Sequence, residues 1–259
     1  MTRLGPASAP ASVVYVHGML TDSRYWTPLV EHLHARLDGA ITQIIYDQRG
    51  HGGSPRPAGA AGIELAVFVE DLDTVVAHAP GAVVLVAHSV AISLVAAWVE
   101  RYRQRARALA GLVLFNGCPA FPPRLTPVTS TGRATRRRLR RHGQQVADLL
   151  GSGIDDPVAG QGTLDVALDV LAAYGRLRLT EDAVSTLRTI PTWVLAGRRD
   201  PVVAAGSAER LAEQIWADLD SVPDAGHSLP FVDPVRAAEP ILAALEVAYR
   251  TQRQGGGPW

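Results

Sequence analysis

The chain has 259 residues, of which 47% are hydrophobic and 19% are charged, proportions typical of a globular protein with a sizeable core. Its 25 basic and 25 acidic residues give a formal net charge of zero, so no global field attracts nucleic acid or an anionic membrane. Cys118 is the only cysteine, which excludes an intramolecular disulfide. The first apolar run, 13–16, is too short to span a bilayer. We therefore expect a cytoplasmic protein that has no membrane span and no nucleic-acid partner.

Short β-branched runs alternate with longer segments of helical periodicity through the first half of the chain. In chain order the pattern predicts strand, helix, strand, helix, strand and helix, at 12–17, 21–37, 41–47, 63–78, 82–87 and 90 to about 107. Asp22 or Ser23 can cap the first helix, and Pro80-Gly81 ends the second. Ser89 stands between the third strand and its helix.

The second half continues the alternation only after an interruption. Strands are predicted at 109–117, 191–197 and 218–222, and a final helix at 234–250. Residues 118–190 break the rhythm with a proline-rich beginning, an arginine-rich helix and a glycine loop. This composition predicts an all-helical insertion over the carboxyl edge of the sheet, where such sheets bind ligands.

The alternation of strands and helices predicts an α/β fold with a mostly parallel, doubly wound sheet. The strands are almost continuously apolar, which is typical of a sheet covered by helices on both faces. The predicted organisation is a core domain in two parts, 1–117 and 191–259, with a helical cap or lid at 118–190. The second part would carry the acid and the histidine of the site.

Three polar residues follow predicted strands: Ser89, Asp200 and His227. Alone, each has an ordinary interpretation, as a helix N-cap, a turn residue and a solvated loop residue. Together they supply a hydroxyl, a histidine to take its proton and a carboxylate to orient that histidine, which nucleophilic acyl transfer requires. The carboxyl ends of parallel strands meet at one edge, and the order Ser, Asp, His is that of α/β-hydrolases.

Five motifs carry a wider resemblance to α/β-hydrolase-fold serine hydrolases of the capped type. They are V-Y-V-H-G, D-Q-R-G-H-G-G-S, A-H-S-V-A around Ser89, A-G-R-R-D-P-V and A-G-H, and they span most of the chain. The resemblance implies an oxyanion hole formed by the backbone N–H groups of Met19 and Val90, and no metal or organic cofactor. Only about ten residues precede the first strand, where relatives usually have a hairpin, so a sheet of six or seven strands is expected.

The resemblance also suggests which residues surround the site. We expect a mostly apolar substrate pocket, with His88 acting more as scaffold than as a contact; the pocket residues are Leu20, Trp26, His88 and Phe121. Arg49 is expected to tie its glycine-rich loop to the scaffold. His51, in the same loop, is less suited than His227 to act as the base.

The serine elbow departs from the usual G-x-S-x-G motif. Ala87 and Ala91 replace the two glycines, and Ile92 stands where many relatives have another glycine. Glycine lets strand and helix approach closely around a strained serine, and each alanine adds one methyl group. If the elbow could not relax, the overpacking would cost about 1–3 kcal/mol. We interpret the segment as a narrowed but functional elbow.

Two other positions for the acid are less favourable. Some relatives carry it after the preceding strand, where this chain has Asn116 and no carboxylate. Asp224 lies only three residues before His227, too close in the chain to reach the imidazole well. Asp200 is therefore the predicted acid.

The leading hypothesis is hydrolysis of an ester, thioester, lactone or amide in a small to medium, largely apolar small molecule. The arginine-rich segment Arg133–His142 is either a solvated face of a lid helix or a docking surface for an acidic carrier protein or a phosphopantetheine phosphate. Two alternatives remain open. One is a non-hydrolytic cyclase, lyase or acyltransferase on the same fold, and the other is a binding protein without turnover, against which the intact Ser, Asp and His argue.

Overall fold

The computed structural model describes residues 1–19, 21–55, 64–118, 179–203 and 206–254. Seven strands lie in these segments: β1 (Thr2–Leu4), β2 (Ala11–Val16), β3 (Thr42–Ile45), β4 (Ala82–His88), β5 (Gly111–Phe115), β6 (Thr192–Gly197) and β7 (Asp218–Val222). The helices in the same segments are α1 (Thr27–Arg36), α2 (Leu65–Ala77), α3 (Ala91–Arg101), α4 (Arg103–Arg107), α5 (Glu181–Leu187), α6 (Ser207–Ile215), α7 (Leu229–Val232) and α8 (Pro234–Gln254). A single 3₁₀ turn, Ser23–Trp26, precedes α1.

The strands form one sheet in the order β1-β3-β2-β4-β5-β6-β7. All neighbours are parallel except β1, which pairs antiparallel with β3. The predicted mostly parallel sheet of six to seven strands is therefore confirmed. Of the early strands that relatives carry, β1 is present in the described part of the chain and forms one edge.

Both faces of the sheet are covered by helices, which confirms the doubly wound arrangement. All six residues of β2 are buried, and their side chains alternate between two cores. Val14 and Val16 pack with apolar residues of α2, α3, α5 and α6. Val13 and Tyr15 pack with those of α1 and α8. This burial on both sides explains why the strand sequences are continuously apolar instead of alternating.

The helices differ from the predictions mainly at their ends. The predicted helix from 90 to about 107 is divided at Tyr102, whose backbone (φ −116°, ψ 48°) leaves the helical region between α3 and α4. The first helix begins as a 3₁₀ turn, with the Asp22 carboxylate accepting from the Arg24 N–H. The last helix extends four residues beyond the predicted end, to Gln254.

The predicted cap at 118–190 lies mostly outside the described residues. Its described C-terminal end forms α5, which packs against α3 and α4. Leu187 and Ile190 are buried in the same core as α3, and Asp182 pairs with Arg103. This end of the segment is therefore part of the core packing. Phe121 and Arg133–His142 are among the residues that the structure does not describe.

Within the described ranges, no helix is both long enough and apolar enough to cross a membrane.

Candidate active site

Ser89 lies on a sharp turn between β4 and α3. Its backbone is in the left-handed region (φ +58°), which costs a non-glycine residue about 1–3 kcal/mol. The turn is held on both sides, because the Ser89 N–H donates to the Phe115 carbonyl at 2.9 Å and the Ser89 carbonyl accepts from the Ile92 N–H at 3.1 Å. The serine side chain therefore stands at the carboxyl edge of the sheet on a fixed backbone.

The alanines of the elbow are accommodated in the core. Ala87 and Ala91 have no solvent exposure and belong to the core cluster on the α3 side. The larger Ile92 is accommodated by a glycine on the neighbouring strand end, since a β-carbon on Gly117 would lie 1.9 Å from Ile92 Cδ1. The elbow retains its left-handed serine even though its flanking glycines are absent.

His227 bridges the other two predicted site residues. Its Nε2 lies 2.9 Å from Ser89 Oγ, and its Nδ1 lies 2.7 Å from Asp200 Oδ2. The His227 and Asp200 side chains are each only 5% exposed. The structure thus brings Ser89, His227 and Asp200 into one continuous chain of hydrogen bonds, although 138 residues separate the serine from the histidine.

The loops after β6 and β7 meet closely, which places the acid beside the histidine. The Arg199 N–H donates to the Ala225 carbonyl at 2.9 Å. A β-carbon on Gly197 would lie 2.4 Å from that same carbonyl oxygen, so only glycine permits this approach. Asp200 and His227 therefore project from two loops that are bonded to each other.

The Asp200 carboxylate is bonded through both oxygens. Oδ1 accepts the N–H groups of Val202 and Val203 at 2.7 and 2.9 Å. Burial alone would raise the pKa of Asp200, but its hydrogen bond and charge interaction with His227, with further bonds from Val203 and Asn116, hold that pKa below its usual range. The acid is therefore ionised at neutral pH.

Asn116 is a site residue that the sequence reasoning missed. The sequence pattern marks it only as a position lacking a carboxylate, yet its Nδ2 donates to Asp200 Oδ2 at 2.9 Å and to the Gly226 carbonyl at 3.1 Å. Its backbone is left-handed (φ +52°), a conformation that asparagine tolerates better than most residues. An asparagine directly after a buried strand is the signal that could have identified it.

The loop after β2 passes directly beside Ser89. A β-carbon on Gly18 would lie 2.8 Å from His88 Nδ1 and 3.3 Å from Ser89 Cβ, so the absence of a side chain permits this approach. His17 Nε2 accepts the Gln48 N–H at 3.0 Å, and its Nδ1 therefore donates to the Gly18 carbonyl at 2.8 Å. Burial and the neighbouring His51 lower the pKa of His17 to about 3, so the imidazole is a neutral structural link.

The glycine-rich loop after β3 supports this arrangement from outside. Arg49 forms a two-point ion pair with Asp71 of α2, at 2.5 and 2.8 Å, and so ties the loop to the scaffold as expected. Asp47 accepts the N–H groups of Ser23 and Gly53. His51 is 3% exposed and packs edge-on against His17, with 5.1 Å between ring centroids. His51 therefore packs this loop against His17.

Two of the predicted pocket residues lie beneath the site. Trp26 has no solvent exposure and packs against Tyr15, Tyr25 and Phe115, so its indole is part of the core below the serine. His88 stacks on Tyr25 at 4.7 Å. The other two predicted pocket residues, Leu20 and Phe121, lie outside the described residues.

His88 is a neutral support for the histidine loop. Burial, with a further contribution from His227, lowers the pKa of His88 to about 3. Its Nε2 lies 2.8 Å from the His227 carbonyl and donates to that oxygen, which has no proton of its own. The scaffold interpretation of His88 agrees with this contact.

Asp224, the other acid considered, points away from the site. It pairs with Arg199 at 2.6 Å, and its side chain is 79% exposed. In the described part of the chain, no group of three or more His, Cys, Asp or Glu side chains is arranged to hold a metal ion.

The chain belongs to the alpha/beta hydrolase family, whose sequence model matches residues 13–239. A search of curated proteins finds no match. Among solved structures, a thermophilic esterase from Thermogutta terrifontis is 22% identical, with a TM-score of 0.70 over 95% of this chain and 92% of that chain. A bromoperoxidase from Bacillus anthracis is 21% identical, with a TM-score of 0.71 over 95% and 94% of the two chains.

A third similar structure is MGS-M2, an alpha/beta hydrolase from a Medee basin deep-sea metagenome library. It is 15% identical, with a TM-score of 0.75 over 95% of this chain and 93% of that chain. At these identities the likeness is one of fold, and function has to be argued from the site.

Proposed function

We propose that this chain is a serine hydrolase that cleaves a carboxylic ester, thioester, lactone or amide through an acyl-enzyme. The observation that carries the proposal is the bridging position of His227, 2.9 Å from Ser89 Oγ and 2.7 Å from Asp200 Oδ2. Membership of the alpha/beta hydrolase family and a fold shared with an esterase support the same reaction class.

The partners of His227 determine which of its nitrogens carries the proton. Asp200 is ionised, because its hydrogen bonds outweigh its burial and hold its pKa low, so its oxygen can only accept. His227 Nδ1 must therefore donate to Asp200, which leaves Nε2 with a free lone pair. That lone pair accepts a hydrogen bond from the Ser89 hydroxyl, so Nε2 is the atom to which the serine would transfer its proton.

Each step of the proposed reaction then has a group to perform it. Ser89 Oγ attacks the substrate carbonyl while His227 Nε2 takes its proton, and the ionised Asp200 stabilises the imidazolium that forms. His227 next gives the proton to the leaving group, and the acyl group remains on Ser89 as an ester. His227 finally takes a proton from water, whose oxygen attacks this ester. His227 then gives that proton to Ser89 Oγ as the C–O bond to the serine breaks, which releases the acid and restores the Ser89 hydroxyl and the neutral imidazole.

The negative charge that develops on the carbonyl oxygen is assigned to the backbone N–H groups of Met19 and Val90. Val90 immediately follows the serine, and a β-carbon on Gly18 would lie only 3.3 Å from Ser89 Cβ. Neither N–H donates to a main-chain carbonyl of another described residue, which agrees with a role in receiving the oxyanion. Donors in this position would stabilise the oxyanion of the tetrahedral intermediate that forms in acyl transfer.

The test of the nucleophile is covalent labelling by a fluorophosphonate probe. We expect one adduct on Ser89 in the wild type and none in Ser89→Ala. Ser93→Ala is the matched control, because Ser93 lies four residues further along the chain, within α3, and its substitution should leave labelling unchanged. Equal labelling of wild type and Ser89→Ala in folded protein would contradict the mechanism.

Hydrolysis is separated from the cyclase, lyase and acyltransferase alternatives by the source of the product oxygen. Turnover of chromogenic acyl esters and thioesters in ¹⁸O-water should place one labelled oxygen in the released acid. An isomeric or cyclised product without label would instead favour the non-hydrolytic alternative. A series of acyl chain lengths in the same assay measures the width of the pocket.

A further inference from the structure

Asn116 is held in an unusual position at the end of β5. Its side chain is buried, its φ is +52°, and its N–H donates to the Leu195 carbonyl at 3.0 Å. The left-handed backbone turns the chain sharply after the strand. The side chain thereby reaches the loops that follow β6 and β7, 84 and 110 residues away in the chain.

Both contacts of the Asn116 side chain are made by the same nitrogen. Nδ2 donates one hydrogen to Asp200 Oδ2 at 2.9 Å and the other to the Gly226 carbonyl at 3.1 Å. Since both partners can only accept, the amide must present its nitrogen to them, and the opposite orientation would place its oxygen against a carboxylate. The orientation of this amide is therefore determined by the acid and by the residue preceding His227.

The same carboxylate oxygen serves both Asn116 and His227. Asp200 Oδ2 receives Nδ2–H of Asn116 at 2.9 Å and Nδ1–H of His227 at 2.7 Å. Oδ1 is occupied by two backbone N–H groups. The four donors fix the plane of the carboxylate, so Asp200 cannot rotate away from the imidazole without breaking hydrogen bonds.

An asparagine retained only for packing would be expected to satisfy its own polar atoms. Here Oδ1 of Asn116 is buried and makes no hydrogen bond in the described part of the chain. Leaving a buried polar oxygen unpaired is unfavourable, so such groups call for an explanation other than stability. What this side chain contributes is its two donated hydrogen bonds, to Asp200 and to the Gly226 carbonyl.

We infer that Asn116 is a positioning residue: its amide aligns Asp200 Oδ2 with His227 Nδ1 and joins the acid loop to the histidine loop at Gly226. The inference rests on the proposed function, because it concerns how the acid and base of that site are held. Asn116 acts through Asp200 and takes no part in proton transfer itself.

The experiment uses two variants of the full chain, with p-nitrophenyl butyrate as the probe substrate. Asn116→Asp keeps the shape of the side chain, replaces the donor by an acceptor and adds negative charge beside Asp200. Asn116→Ala removes the donor without adding charge. We expect kcat to fall about tenfold or more in both variants with KM within about twofold, because orientation of the catalytic groups is lost while substrate contacts remain.

The pH profile distinguishes positioning from simple structural support. Without the competing donor, the full negative charge of Asp200 Oδ2 faces His227, and in Asn116→Asp a second carboxylate is added. Both changes favour the protonated imidazole, so the acid limb of kcat/KM should move to higher pH, by about one unit in Asn116→Asp. The other titratable side chains beside this pair, His88 and Tyr25, are buried and neutral and stay the same in both variants.

A matched control is Gln43→Glu in β3. Gln43 is also a buried amide that donates to a main-chain carbonyl, that of Val30 at 2.9 Å, and accepts from Tyr15. Its substitution should lower the unfolding temperature, as loss of a buried amide does, yet leave the pH profile of activity unchanged. A wild-type kcat and acid limb in both Asn116 variants would overturn the inference.

A second measurement separates this inference from the proposed function. The imidazole of His227 is titrated by NMR in ¹⁵N-histidine-labelled protein, with its signals assigned by their loss in His227→Gln. We expect a midpoint at higher pH in Asn116→Asp than in wild type, whether or not any ester is turned over. An unmoved midpoint removes the positioning role. If the midpoint moves while Ser89→Ala retains full activity, the proposed function fails and the contact of Asn116 with the pair stands.

Discussion

The Cδ1 methyl of Ile92 occupies the space that a β-carbon on Gly117 would need, since the two atoms would be 1.9 Å apart. Ile92 lies in the first turn of α3, and Gly117 follows β5, so the contact joins the helix that follows Ser89 to the neighbouring strand end. Real β-carbons do not approach another atom so closely. The larger residue at the elbow is therefore matched by a glycine on the adjacent strand.

The pairing predicts a strong coupling between positions 92 and 117. Gly117→Ala should destabilise the fold by about 1–3 kcal/mol, because the new methyl is forced against Ile92. Ile92→Val removes Cδ1 and leaves Cγ1, which would lie 3.1 Å from the added β-carbon. When Ile92→Val is already present, adding Gly117→Ala should therefore cost less than it does in the wild type. Urea unfolding of the wild type, the two single variants and the double variant measures the coupling free energy in a double-mutant cycle.

Ile44→Val is the control for this cycle. Ile44 is fully buried in β3 and packs in the same core cluster, but β2 and β4 separate β3 from β5 in the sheet. Its cost should add to that of Gly117→Ala within about 0.5 kcal/mol. If the costs of Ile92→Val and Gly117→Ala also simply add, the two positions are not coupled and the structure around the elbow relaxes to admit the new methyl.

The sheet and the site residues that follow it could be predicted from the sequence because each depends on a local pattern. Apolar runs such as 82–87 mark buried strands, and polar residues directly after them must meet at one edge. The same reasoning placed Ser89, Asp200 and His227, and the structure brings those side chains within hydrogen-bonding distance. Arg49 was likewise expected to tie its loop down, and it pairs with Asp71.

Contacts between side chains on different strand ends could not be predicted in the same way. Asn116 was judged by the carboxylate it lacks, whereas its role depends on reaching a residue 84 positions later in the chain. Ile92 indicates only a bulkier start of the helix, because the glycine that accommodates it lies on another strand. Trp26 was expected at the pocket, but an apolar pattern alone does not distinguish a pocket wall from the core, where the structure places it.

Asp200→Asn should abolish nearly all activity while the fold is retained. The amide can present a donor to His227 Nδ1 and so favour the tautomer whose Nε2 carries the proton, which cannot accept from Ser89. We expect kcat/KM to fall by about 10⁴-fold. The measurement is kcat/KM for ester hydrolysis. Circular dichroism and the unfolding temperature of the variant are compared with those of the wild type to show that the fold is retained. Asp224→Asn is the control, since Asp224 is exposed and paired with Arg199, and its activity should match the wild type.

The buried histidines make stability depend on pH. Burial lowers the pKa of His88 from 6.5 to about 3, so between these values the unfolded chain is protonated at His88 and the folded chain is not. Unfolding then takes up a proton, and the free energy of unfolding falls as pH falls, by about 1.4 kcal/mol per pH unit for each such group. His17, whose pKa is also lowered to about 3, contributes in the same window.

His88→Gln should therefore flatten the dependence of stability on pH between about 6 and 4. The slope of the unfolding free energy, obtained from urea titrations at several pH values, should decrease by about 1.4 kcal/mol per unit. Tyr25→Phe is the control, because it keeps the ring stacked on His88 and leaves the imidazole in place. A slope in His88→Gln equal to that of wild type would mean that His88 is protonated in the folded state.

Gly18→Ala tests whether the loop beside Ser89 must lie as close as the structure places it. The added methyl would be 2.8 Å from His88 Nδ1 and 3.3 Å from Ser89 Cβ, so the loop that carries Met19 has to move outward. Displacing one oxyanion donor should lower kcat by about 10²–10³-fold with a smaller effect on KM. Gly53→Ala is the matched control, since its β-carbon would meet, among the described residues, only Asp47 Oδ2 at an ordinary 3.6 Å. Steady-state kinetics on one chromogenic ester should give wild-type values for Gly53→Ala and a loss mainly in kcat for Gly18→Ala. Comparable rates for the two variants would remove Met19 from the oxyanion hole.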